Sequence, residues 1–257
     1  MMNLHYQKIG NGTKILLAFH GMGQDFSCFQ QFAQTFENQY TTYLFDLPFH
    51  GKNEGAENSM ITKEVWKNFM TDFLQKNQIN SFSIIAFSMG GRFALATVEA
   101  FYERIEQLFL LAPDGVTEDP VYTLATRFGF SRKIFYSVLK HNHKLYAPAE
   151  ILVKVGLVHK SVLKFAKMMV DTPQKQKQLY QAWVGFYQLR FDIKKIADLI
   201  NQQQIDVQVF MGKYDKVMPI QKVLPLTKLI KPSKFVTLEA THGRLVDKTL
   251  GYLGKGN

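Results

Sequence analysis

A serine with small neighbours two residues away on either side stands in Ile84-Ile-Ala-Phe-Ser88-Met-Gly-Gly91. The apolar run before Ser88 predicts a strand and the residues after it predict a helix, so the serine occupies the turn between them. Such an elbow holds a hydroxyl clear of the sheet on a strained backbone, which is one way to present a nucleophile. Strand and helix approach closely only if the flanking positions are small. Ala86 and Gly90 fill them, and the methyl group of Ala86 is the least possible addition where such motifs carry glycine. The new helix also points backbone N–H groups at an anion placed here. A serine before glycines is equally a common helix N-cap, so the motif alone leaves both roles open.

Three other loops give the serine its context. The strand-like run Ile15 to Phe19 ends in His20-Gly-Met-Gly23, a turn flexible enough to aim the Met22 N–H inward. With the Met89 N–H it would make two donors for an oxyanion. Asp215 follows the strand-like run ending at Met211, and His242 follows the next, ending at Leu238. In a parallel sheet both loops leave the carboxyl edge, the edge that carries Ser88. His242 is then expected as general base and Asp215 as the acid that orients it. Asp114, just past the strand ending at Ala112, opens on the same edge and is an alternative acid.

Other reactive side chains carry blander expectations. His20 and His50 each precede a glycine in a turn, where structural hydrogen bonding is expected. Cys28 has no obvious cationic activator and reads as a small buried thiol. The histidines show no metal-ligand spacing and no glycine-rich loop cradles phosphates, so no metal and no cofactor is expected.

The elements that must position these loops follow from periodicity. Strands are predicted at Lys14 to His20, Thr41 to Phe45, Phe82 to Phe87, Ile105 to Ala112, Asp206 to Met211 and Lys234 to Leu238. Helices are predicted at Phe26 to Phe36, Thr62 to Lys76, Gly90 to Phe101, after Pro219 and after His242. This alternation implies an α/β fold, a mostly parallel central sheet flanked by helices. Residues 117–196 break it with a helical, Lys-rich and aromatic stretch. Because both flanks must complete one sheet, that stretch reads as an inserted helical lid on a core of residues 1–116 and 197–257.

Composition narrows the setting. The 257 residues are 46% hydrophobic and 20% charged, enough to bury one sizeable core. Apolar runs are strand-length, so no transmembrane segment is expected, and the N-terminus shows no signal-peptide pattern. One cysteine forms no internal disulfide, and a cytoplasmic location is expected. The net charge of +10 sits almost wholly in one place. Residues 117–196 hold 14 Lys/Arg against 5 Asp/Glu, leaving 17 bases and 16 acids elsewhere. That field suits an anionic or carrier-linked partner such as an acyl-carrier protein or coenzyme A thioester; a solvated lysine-rich surface is the other reading. No nucleic acid is expected as a partner.

Taken together, His20-Gly21, Asp46-Leu-Pro-Phe-His-Gly51, Phe87-Ser-Met-Gly-Gly91, Gly212-x-x-Asp215 and His242-Gly243 resemble the α/β-hydrolase superfamily, in its lid-bearing esterase group. The resemblance implies Ser88, Asp215 and His242 as a triad and the Met22 and Met89 amides as an oxyanion hole. It departs at the short N-terminus, which leaves room for about one strand before the His-Gly turn, and at Phe49, where a glycine often sits. The implied activity is hydrolysis of a carboxylic ester or thioester through an acyl-enzyme. Carbon–carbon bond hydrolysis or a lyase reaction with the same residues, or ligand binding without catalysis, are alternatives. Phe128, Phe130, Phe135, Tyr136, Phe165, Met168, Met169, Trp183 and Phe186 of the lid are expected to offer an apolar lining for a small-molecule acyl substrate.

Overall fold

The computed structural model describes residues 2–53, 60–141, 143–230 and 234–254. Its centre is a seven-stranded sheet in the order β1-β3-β2-β4-β5-β6-β7. The strands are β1 (Tyr6–Ile9), β2 (Lys14–Phe19), β3 (Tyr40–Phe45), β4 (Phe82–Phe87), β5 (Ile105–Leu111), β6 (Asp206–Gly212) and β7 (Phe235–Leu238). β1 runs antiparallel to β3, and all other pairs are parallel. β3 and β4 are buried along their whole length, as strands covered on both faces must be. Two strands, not one, precede the His20-Gly21 turn. The chain reverses between them at Gly10, whose φ of +89° suits glycine and where a Cβ would lie 2.3 Å from the Tyr40 carbonyl oxygen.

Helices α1 (Gln30–Thr35), α2 (Lys63–Lys76), α3 (Gly90–Phe101), α4 (Pro120–Arg127), α5 (Gly129–Lys140), α6 (His143–Lys154), α7 (Lys160–Met169), α8 (Pro173–Gly185), α9 (Ile193–Gln203), α10 (Leu224–Thr227) and α11 (Leu245–Leu253) complete the chain. The stretch predicted as one helix from Phe26 opens instead as a 3-10 turn, Phe26–Phe29, before α1. The Asp25 side chain accepts the Ser27 N–H there, favouring a tight turn. Thr62 caps α2 by accepting the Val65 N–H at 3.1 Å, and Trp66, Phe69, Met70, Phe73 and Leu74 bury one face.

Among the described residues six helices, α4 to α9, lie between β5 and β6. A boundary at residue 196 falls inside α9, which buries Ile196, Ala197 and Ile200 in the main core. α9 therefore serves as the crossover that two parallel strands require. Among the described residues no helix is long and apolar enough to cross a membrane.

Phe49 shows how the residue-46 loop joins this core to the helical segment. It holds φ at +67°, a left-handed conformation uncommon for a bulky side chain. Its ring is buried against Phe186, centroids 5.5 Å apart, just past α8. Burial therefore holds a strained backbone in place. Phe49→Ala is expected to cost about 3–5 kcal/mol, and Phe49→Gly about 1 kcal/mol less, because glycine relieves the strain. Glycine is normally the worse replacement, so chemical denaturation finding Phe49→Gly the less stable of the two would refute strain at this position.

Candidate active site

β4 delivers Ser88 into the elbow and α3 leaves it. Ser88 holds φ at +51°. Its N–H donates to the Leu111 carbonyl at 2.9 Å, and its carbonyl accepts from Gly91 and Asp114, each at 2.8 Å. The end of β5 and the loop beyond thus clamp the strained residue from both sides. At Gly90 a Cβ would stand 2.1 Å from the Phe19 carbonyl oxygen, so only glycine lets α3 approach β2. Ala86, two residues before the serine, is fully buried.

Two loops of the same sheet edge reach Ser88. His242 begins a 3-10 turn after β7, and its Nε2 lies 3.1 Å from Ser88 Oγ. Its Nδ1 lies 2.6 Å from Asp215 Oδ2. Asp215 Oδ1 accepts the Val217 and Met218 N–H groups at 2.9 and 2.8 Å. These bonds fix the carboxylate, so Nδ1 carries the proton and Nε2 is left to accept from the serine hydroxyl. All three side chains are buried. Such an arrangement can take a proton from Ser88 and return it to a leaving group without rearranging.

Asp114 is committed elsewhere. The guanidinium of Arg92, buried on α3, donates to Asp114 at 2.6 and 3.3 Å, to Glu118 at 2.8 and 3.3 Å, and to the Leu189 carbonyl at 2.9 Å. Every guanidinium N–H direction is thereby used. The cluster ties α3 to the start and end of the helical segment.

Met22 and Met89 both border the space in front of Ser88. No acceptor among the described residues takes the N–H of either. The turn at Met22 is held by Gln24, whose Oε1 accepts the Gly21 N–H at 3.0 Å.

His20 and His50 make loop contacts. His20 Nδ1 lies 2.7 Å from the Gly21 carbonyl, and Nε2 accepts the Leu47 N–H at 3.0 Å, binding the end of β2 to the loop after β3. His50 Nδ1 meets the Pro48 carbonyl at 2.9 Å. Burial pushes His20 down to about 4 and His50 to about 3, so both fold as neutral imidazoles. The unfolded chain, with ordinary histidine values near 6.5, then binds the more protons as pH falls. Stability from these two groups is full above about 6.5 and declines towards pH 4, at about 1.4 kcal/mol per histidine per pH unit. Urea denaturation at pH 7.5, 6 and 5 checks this, and a constant midpoint across that range would contradict it. Burial also pushes the Cys28 thiol up to about 12, so it is a poor nucleophile. Among the described residues no cluster of His, Cys, Asp or Glu could hold a metal ion.

Two cavities meet at Ser88. The larger, about 500 Å³, is walled mainly by apolar residues of α5 to α8, including Leu139, Val162, Leu163 and Leu179. The smaller, about 160 Å³, brings Gln24, Lys175 and Gln178 beside His242. Of the aromatic residues expected to line a pocket, Phe165, Trp183 and Phe186 do so. Phe128, Phe130, Phe135 and Tyr136 do not line these cavities; Phe135 stacks on Trp183 instead, and the other three are exposed. Phe165 also packs edge-on against His242, centroids 5.6 Å apart, so the helical segment touches the reacting groups. The polar trio of the smaller cavity carried no sequence signal, because its members come together only through the packing of α8 over the residue-20 turn.

A hydroxyl in a strained elbow, a buried imidazole and a buried acid on one edge of a parallel sheet define the α/β-hydrolase class. The chain belongs to the alpha/beta hydrolase fold family, whose profile matches residues 14–247. A Mycoplasma genitalium protein described as an esterase/lipase is 22% identical over 219 residues, covering 79% of this chain and 78% of its own. Among solved structures, a thermophilic esterase from Thermogutta terrifontis superposes with a TM-score of 0.70 at 17% identity, covering 98% of this chain and 90% of that one. The α/β hydrolase MGS-M2, from a deep-sea metagenome of the Medee basin, gives 0.71 at 14% identity, covering 98% and 93%.

Proposed function

We propose that this chain hydrolyses a carboxylic ester or thioester by two-step acyl transfer, with Ser88, His242 and Asp215 as catalytic triad. The carrying observation is the continuous relay from Ser88 Oγ through His242 to Asp215, at 3.1 and 2.6 Å. Ser88 Oγ attacks the substrate carbonyl carbon while His242 Nε2 takes its proton. The oxyanion accepts the N–H groups of Met22 and Met89, and one such donor is typically worth about 3 kcal/mol in the transition state. Collapse expels the leaving group, which takes the proton from His242. Water then gives a proton to the same nitrogen and attacks the acyl-serine, and the acid is released as the acyl–oxygen bond breaks and Ser88 Oγ takes that proton back.

The two cavities divide the substrate. Met89 borders only the larger and His242 only the smaller. Because His242 protonates the leaving group, that group belongs in the smaller, more polar space. The acyl portion then occupies the apolar cavity, roofed by α4 to α8 acting as a lid. No cofactor enters the cycle. A panel of p-nitrophenyl esters should show kcat/KM rising as the acyl chain lengthens to fill this cavity, and a fluorophosphonate should label Ser88. Absence of both turnover and labelling would replace the enzyme with a ligand-binding protein on this scaffold.

A further inference from the structure

Twelve of the sixteen large apolar residues exposed on the described chain lie between Val121 and Met168. Single exposed apolar residues are ordinary, but such a concentration on one segment marks an interaction surface. On α5, Phe130, Ile134 and Val138 recur every four residues at 65%, 59% and 40% exposure, while Ser131 and Leu139 face inward. On α6, Ile151 is 59% exposed, and Val155 just beyond it 62%. The surface is continuous with the site, because Val138 also walls the larger cavity and Met168, 48% exposed, walls the smaller.

The same stretch is strongly cationic. Residues 120–168 hold nine Lys/Arg and one acid, Glu150, which is itself paired with Lys167 at 2.7 Å. Lys133, Lys160 and Lys164 are exposed and have no ion-pair partner among the described residues. Exposed apolar side chains interleaved with free cations match one environment, an interface with an apolar interior under an anionic headgroup layer. A soluble acidic carrier would use the cations and leave the apolar array uncovered. A second copy of the chain would bring like charge against like charge.

We propose that the outer face of α4 to α7 docks on an anionic phospholipid bilayer, and that acyl substrate enters the larger cavity from that surface past Val138. Docking is independent of the ester chemistry; the entry route rests on it. Sedimentation with phosphatidylcholine vesicles, with and without phosphatidylglycerol, tests the docking. The wild type should bind the anionic vesicles and be released by salt. Neutralising Lys133, Lys160 and Lys164 to alanine together should weaken binding about a hundredfold, at about fivefold per charge. The pair Phe130→Ser and Ile134→Ser should weaken it at least tenfold. None of these residues lines a cavity, so both variants should keep their melting temperature and their turnover of a soluble short ester. Failure of the wild type to bind, or equal binding by the variants, would overturn docking. So would a dimer in sedimentation velocity that Phe130→Ser disrupts, or capture of an acidic acyl-carrier protein without vesicle binding. A chain that turns over no ester and resists fluorophosphonate labelling, yet sediments with vesicles, would refute the proposed function and leave docking standing.

Discussion

Ser88→Ala is expected to lower kcat on a good ester substrate by at least about 10⁴-fold, the range found when a triad nucleophile is removed. Binding should change little, because both cavities are walled mainly by other residues. Stability should change little as well. Among the described residues the hydroxyl makes one hydrogen bond, to His242, and alanine tolerates the φ of +51° no better and no worse than serine. Steady-state kinetics beside thermal denaturation separates the two effects. Turnover that survives in the folded variant would remove Ser88 from the chemistry, and with it the acyl-enzyme.

The second large effect distinguishes two acids. Asp215→Asn should lower kcat by about 10⁴-fold with the fold intact, because an amide facing His242 Nδ1 no longer secures the tautomer in which Nε2 accepts from Ser88. Asp114→Asn should leave kcat within about tenfold but destabilise the protein by about 1–3 kcal/mol, since it weakens the pairing of buried Arg92. The lower half of that range is expected, because the Asp114 side chain is 27% exposed. A kcat loss at Asp114 as large as that at Asp215 would return Asp114 to the list of catalytic acids. These two variants address the ambiguity that the sequence leaves, because both acids follow strands that end on the same edge of the sheet.

The sequence by itself determined six of the seven sheet strands, in their order along the chain, and the elbow; β1, a half-exposed four-residue edge strand, carried too short an apolar run to be read. Both are local: an apolar strand-length run, a serine and two glycines are read within eight residues, and Gly90 is required by a backbone contact one strand away. It also set out the order serine, acid, histidine, since each follows a strand and parallel strands send their ends to one edge. Tertiary structure decided what depends on partners far along the chain. Arg92 claims Asp114 and leaves Asp215 for His242, a choice made by packing α3 against the loop beyond β5. Phe49 was legible only as a departure within a turn; its burial against Phe186, 137 positions later, shows why a bulky residue is held there. The helical segment was legible in composition but not in direction. The sequence predicts that residues 117–196 are helical, yet whether a ring faces the cavity or the solvent is set by how each helix rolls against its neighbours. Phe165 therefore reaches His242, whereas Phe130 faces outward.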